Sequence, residues 1–180
     1  FNGGMLKLFP NLRGETDALT NAMVDLYCET QAKFRPDMQP QYFYSPRELS
    51  RWVRGIYEAI VDIDALTKDE LVRIWAHEAL RLFHDRLVEQ EERGWCEEEI
   101  DKVAQKHFAG VSFETALSRP LLYSSWMSKD TRRVEREELK AFLADRLSVF
   151  YEEELDVPLV VFDEVLDHIL RVSLLGIRNG

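Results

Sequence analysis

The chain has 180 residues, 46% hydrophobic and 31% charged, which provides for a real core and is not the composition of a disordered segment. Its 33 acids outnumber its 23 bases, for a net charge of −10, and no basic run exceeds Arg132-Arg133. That balance argues against a nucleic acid or a membrane surface held through phosphate neutralisation, and no apolar run or leader pattern points to a transmembrane helix or a signal peptide.

From the start, Asn2 to Phe9 reads as one or two helical turns ended by Pro10, and Gly14 marks a turn. Thr16 or Asp17 opens a helix to about Phe34, with Ala18, Leu19, Ala22, Met23, Leu26 and Tyr27 inward. Pro36 and Pro40 place residues 35–41 in a loop. Next comes the most informative stretch, Tyr44-Ser45-Pro46-Arg47-Glu48-Leu49-Ser50-Arg51-Trp52-Val53-Arg54-Gly55. Ser45 is a capping residue, Pro46 suits the first helical position, and Glu48 stands at capping-box spacing from Ser45. A helix to about Ile60 follows, with Leu49, Trp52, Val53, Ile56, Tyr57 and Ile60 as its apolar stripe. Arg47, Arg51 and Arg54 lie off that stripe. The plain reading of them is a solvated face. Arg47, however, stands in the first turn, where the helix dipole gives a cation no help, a place that suits an anionic partner outside the helix.

Thr67-Lys68-Asp69-Glu70 is a second capping box. It opens a long helix to about Glu92, with Leu71, Ile74, Trp75, Ala79, Leu82, Phe83 and Leu87 inward and Gly94 as its break. Trp95 or Cys96 starts a shorter helix burying Ile100, Val103, Ala104 and Phe108; residues 109–120 connect onward, and Leu121 to Trp126 is extended or irregular. Glu135, Glu137 and Glu138 favour a helix start by charge, and that helix runs to about Glu154 with Leu139, Phe142, Leu143, Leu147 and Phe150 inward. After Asp156-Val157-Pro158, a last helix carries Phe162, Val165, Leu166, Ile169 and Leu170 on one side. With no convincing strand alternation and no repeat, the predicted fold is all-α, a multi-helix bundle with short loops and an appended long-helix extension.

The chemistry is as informative for what it lacks. No Gly-x-x-x-x-Gly-Lys-Ser/Thr occurs, so no phosphate cradle of that type exists. Asp163-Glu164 after Val160-Val161-Phe162 mimics a metal-holding strand end, but the helical period through Val165, Leu166 and Ile169 opposes it. His77-Glu78 fails the zinc-protease spacing because His84 follows seven residues on rather than four. Both histidines are expected in helix packing and hydrogen bonding. Cys28 and Cys96 read as ordinary thiols of a reducing compartment. No catalytic residue and no metal site is predicted.

Ser45-Pro46-Arg47 opening a helix above an apolar stripe resembles the sensor-2 helix of AAA+ ATPase lids. More closely, Ser45 to Tyr57, Ile74 to Glu92 and Phe150 to Arg171, with the His77-Glu78…Asp85-Arg86-Leu87 phrase among them, resemble the cytoplasmic dynein heavy chains. The resemblance runs from about Phe1 to Arg171, and the residues beyond depart from the family. It implies a lid of the third AAA+ module over residues 1–122, with residues 123–180 as a helical linker into the fourth. Arg47, and more weakly Arg51, would sense the nucleotide of the third module, and Pro158, Leu159 and Val160 would lie near the adenine of the fourth. The implied role is non-catalytic coupling of ATP state to movement between modules of a minus-end-directed microtubule motor, in the cytoplasm. The chain alone would bind no cofactor, and ATP or ADP with Mg would belong to the intact motor. Implied partners are neighbouring AAA+ subdomains, microtubules and dynein subunits through the parent, and a lissencephaly-type regulator, with no nucleic acid and no membrane. The absent initiator methionine and missing P-loop fit a piece of a longer protein. The rival reading is a free-standing helical interaction module whose arginines meet an acidic partner.

Overall fold

The computed structural model describes residues 2–61, 63–119, 123–124, 132–133, 136–153 and 166. It divides into two compact units, Phe1–Leu121 and Leu122–Gly180.

The first unit is helical, as its periodicities dictate. Helix α1 (Asn2–Met5) runs through a short 3-10 turn (Leu6–Leu8), and a second 3-10 stretch (Pro10–Glu15) leads into α2 (Thr16–Lys33). Then come α3 (Arg47–Ile60) and α4 (Lys68–Ala79), the latter extended by a wider turn over Leu80–His84. Helix α5 (Gln90–His107) and a single turn, α6 (Phe113–Ala116), complete the unit. Leu19, Ala22, Met23 and Leu26 of α2, and Cys96, Ile100, Val103 and Ala104 of α5, are buried where the two helices pack. A polar tie joins the last turn of α5 to the middle of α2: Asp25 accepts a hydrogen bond from Lys106 at 2.6 Å and pairs with His107 Nε2 at 2.7 Å.

The centre is aromatic. Trp52 of α3 stacks on Trp75 of α4 with ring centroids 5.5 Å apart, and Phe83 meets Trp52 edge-on at 5.2 Å. Trp52 is 0% exposed, and its indole N–H donates to the Trp75 carbonyl at 3.1 Å, so even its polar atom is satisfied inside. Beside this stack α3 and α4 approach so closely that Gly55 cannot be replaced without displacement. A Cβ there would lie 1.9 Å from Glu78 Oε2.

Three expectations need correction. The α3 stripe is rotated: Trp52, Ile56 and Ile60 are buried with Gly55 and Ala59, but Leu49 and Val53 are half-buried and Tyr57 is 44% exposed. Val53 and Tyr57 instead line an apolar groove of about 580 Å³ with Met5 and Leu8. The helix after Thr67 does not reach Glu92, and Gly94 does not break it. The break lies at residues 85–89, where the chain leaves through a π-type bond from Asp85 N–H to Leu80 O at 3.1 Å. Glu89 and Glu92 then form a reciprocal capping box that restarts the chain as α5, which outweighs the modest helix cost of an interior glycine. The described part of the expected connector, residues 109–119, is also more ordered than a bare link. Arg73 donates to the carbonyls of Thr115, Ala116 and Ser118 at 3.1–3.3 Å, satisfying carbonyls at the end of α6 that its own turn leaves open.

In the second unit, strands β1 (Tyr123–Ser124) and β2 (Arg132–Arg133) pair antiparallel over two residues each, Tyr123 opposite Arg133 and Ser124 opposite Arg132, too short to produce alternation in the sequence. Helix α7 (Arg136–Glu153) follows. Leu139 is buried, while Phe142, Leu143 and Leu147 are half-buried rather than fully inward. The expected last helix falls outside the described residues except for Leu166, which is helical and buried.

Candidate functional site

The approach to α3 is fixed one residue at a time. Tyr42 hydroxyl bonds the Glu92 carboxylate and accepts Val88 N–H at 3.1 Å. Phe43 carbonyl accepts from Arg86 Nη1 at 3.1 Å. Tyr44 carbonyl accepts from Tyr27 hydroxyl at 3.2 Å and from Gln31 at 2.9 Å, and the Arg86 guanidinium lies 4.8 Å from the Tyr44 ring centroid. Ser45 donates its N–H and its hydroxyl to Glu48 Oε2 at 3.0 and 2.8 Å. Four successive residues are thus held by α5, the α4–α5 turn, α2 and α3.

Glu48 is the hinge of this arrangement. Its side chain is only 8% exposed, and its other oxygen, Oε1, faces Arg51 and Arg86 at 3.7 Å each. Burial pushes the Glu48 carboxyl up, but the two Ser45 hydrogen bonds and the Arg86 charge outweigh burial and hold it below the ordinary carboxylate value. Glu48 is therefore an anion, already satisfied, and does not neutralise its neighbour Arg47.

Arg47 is the first residue past this scaffold. Its N–H donates to Ser45 Oγ at 3.3 Å, its side chain is exposed, and no acidic group pairs with it among the described residues. The other two arginines of the helix are engaged. Arg51 faces Glu48, and Arg54 bonds Glu58 at 2.6 Å. Pro158, Leu159 and Val160, the other predicted site residues, lie outside the described residues.

Below the entrance, Glu78 is almost wholly buried against Gly55. It accepts from Arg81 Nη2 at 2.6 Å and Nε at 3.0 Å, and His77 Nδ1 stands 3.6 Å away. Burial raises the Glu78 carboxyl, yet His77 and Arg81 reverse this and keep it lowered. The histidines thus pack and pair: His84 lies 3.5 Å from Asp85 and 3.7 Å from Glu97. Among the described residues no His, Cys, Asp and Glu cluster could hold a metal ion, and no helix is long and apolar enough to cross a membrane. The roles of Arg86 and Glu78 escaped the sequence reading. Their one signal was the His77-Glu78…Asp85-Arg86-Leu87 phrase, whose spacing does not reveal what it touches.

The helical bundle that carries this arginine matches an AAA+ lid-type domain. The family of the dynein heavy chain ATPase lid domain matches residues 1–93, and the chain belongs to the dynein heavy chains. It is 62% identical over 173 residues to the cytoplasmic dynein heavy chain of Drosophila melanogaster, 59% over 173 to that of Dictyostelium discoideum and 55% over 174 to that of Caenorhabditis elegans. Each comparison covers 96% of this chain and 4% of the relative, so the chain spans about one twenty-fifth of their length.

Proposed function

We propose that this chain is a non-catalytic, nucleotide-sensing lid in the ring of an ATP-driven microtubule motor working in the cytoplasm. In this reading residues 1–122 are the lid of the third AAA+ module and residues 123–180 lead into the fourth. Arg47 faces the phosphates of a nucleotide whose other contacts belong to the rest of the heavy chain. Arg51, already facing Glu48, takes a lesser part. Pro158, Leu159 and Val160 would border the adenine of the fourth module. The neighbouring AAA+ subdomains are the direct partners, with microtubules, dynein subunits and a lissencephaly-type regulator reached through the whole motor.

One observation supports the reading: among the described residues the Arg47 guanidinium has no acidic partner, and it stands on a helix entrance anchored by the buried Glu48. The residues fit a phosphate partner. Arg47 offers planar donors without a competing acid, and charge-assisted bonds of this type are strong in a water-poor cleft. A bound nucleoside triphosphate with Mg supplies the anion and the energy of its hydrolysis. What the chain contributes is a rigid lever, because an arginine fixed to α3 transmits a phosphate contact to the whole aromatic core rather than to a loop.

Arg47→Ala in the full-length heavy chain tests this. The expected result is weaker nucleotide affinity at the third module and slower gliding along microtubules. Wild-type values for both would make Arg47 a surface cation and end the reading.

A further inference from the structure

The geometry points to Arg86, acting with Glu48, as a positioning residue that sets where Arg47 stands. This rests on the reading of Arg47 as a phosphate sensor, and it assigns a task to the Asp85-Arg86 phrase that no helix packing explains.

Arg86 follows the π-type turn at Leu80–His84, where the helix ends and the chain turns away. From there one guanidinium performs three contacts on the approach to α3. Nη1 donates to Phe43 O, Nη2 faces Glu48 Oε1, and the plane lies against the Tyr44 ring. The Arg86 bond to Phe43 is exposed, but Arg86 is itself mostly covered, at 22% exposure, and Glu48 is buried, so their contact is less screened than a surface pair. A lysine could supply the charge but not a planar fork that serves a carbonyl, a carboxylate and a ring together. Glu48 completes the path. It takes Arg86 on Oε1 and Ser45 on Oε2, and Ser45 Oγ in turn accepts the Arg47 N–H. A continuous chain of contacts therefore leads from Arg86 to the backbone of Arg47 through two side chains. Arg86 meets Phe43, Tyr44 and Glu48 rather than Arg47 itself, so it acts on Arg47 through the mount.

The test uses the full-length heavy chain with Arg86→Met, Arg86→Lys, Arg47→Ala and the Arg86→Met/Arg47→Ala double variant. Hydrogen exchange reads the mount directly. Arg86→Met is expected to speed exchange across residues 44–50 and to leave residues 66–71, which hold the Thr67–Glu70 capping box, at the wild-type rate. Nucleotide affinity at the third module and gliding speed read the consequence. Arg86→Met should weaken affinity about threefold or more, Arg86→Lys should recover part of it, and the double variant should match Arg47→Ala alone, since a lost position cannot matter to an arginine already removed. Unchanged exchange at residues 44–50, or effects of Arg86→Met and Arg47→Ala that add, would overturn the proposal. Faster exchange together with a silent Arg47→Ala would uphold the clamp while removing the sensor reading on which its purpose rests.

Discussion

Three helices begin with a glutamate reaching back to the residue at the helix entrance, and two of them, α3 and α4, use that reach differently. At α4, Thr67 and Glu70 form a complete reciprocal capping box, Thr67 N–H and hydroxyl donating to Glu70 at 2.9 and 2.8 Å and Glu70 N–H donating to Thr67 Oγ1 at 3.2 Å. That box is exposed and closed on itself. At α3 only half of the expected box forms. Glu48 reaches back to the Ser45 N–H and hydroxyl, but the Glu48 N–H goes to the Ser45 carbonyl and Ser45 Oγ accepts the Arg47 N–H instead. The buried Glu48 also faces Arg86 from the turn before α5. A capping box tells the chain where to start a helix. Only its burial and its outside partners turn that start into a fixed mount.

The largest break in the comparison comes from below. Trp52 anchors α3 on Trp75, so Trp52→Ala should cost about 3–5 kcal/mol of stability in a denaturant melt of the chain. A loss under about 1 kcal/mol would mean that α3 is held mainly from its entrance. Next, Glu48→Ala and Glu70→Ala remove equivalent residues of the two entrances. Glu48→Ala leaves Arg86 short of its carboxylate and should cost about 1.5–3 kcal/mol, against about 0.5–1 kcal/mol for the exposed Glu70→Ala. Equal losses in the same melts would erase the distinction drawn between them.

Acid sharpens the comparison with a smaller effect. The folded Glu48 carboxyl titrates below its ordinary value of 4.5. Folding therefore gains from its ionisation above that value, and the gain fades as pH falls through the folded value. Melting temperatures followed from about pH 6 down to about pH 3 should drop less steeply for Glu48→Gln than for the wild type. Parallel curves would show that the clamp does not depend on the charge. The smallest effect belongs to Arg47→Ala, which should leave the melt within about 0.5 kcal/mol of wild type, because the side chain touches neither box nor core. A larger loss would make Arg47 part of the mount rather than its cargo.

Much of this was legible from residues alone. The Thr67–Glu70 capping box, the reach of Glu48 back to Ser45, the burial of Trp52 and the exposure of Arg47 follow from spacing, because capping and amphipathic periodicity are local rules. The reciprocal half expected at Ser45 is replaced by an Arg47 N–H bond to Ser45 Oγ. Local rules fail where a distant group decides. Tyr57 belongs to the α3 stripe by period, yet the α3–α4 contact turns Gly55 inward and Tyr57 toward the groove. Gly94 looked like a stop, while the real stop needed the wider turn before Asp85 and the Glu89 cap after it. Glu48 was visible as a capping residue, but nothing in its neighbourhood announces Arg86.

Gly55 carries a consequence for the routes by which such a lid can change. Its missing side chain is filled by Glu78, whose Oε2 occupies the space a Cβ would take. The two positions are therefore locked in order. A lineage that first enlarges residue 55 must pass through a fold in which a buried carboxylate is torn from Arg81. One that first shortens residue 78 strands the Arg81 guanidinium instead. Neither single step is neutral, so the two positions are expected to change together, and variation at one is to be sought where the other has already changed.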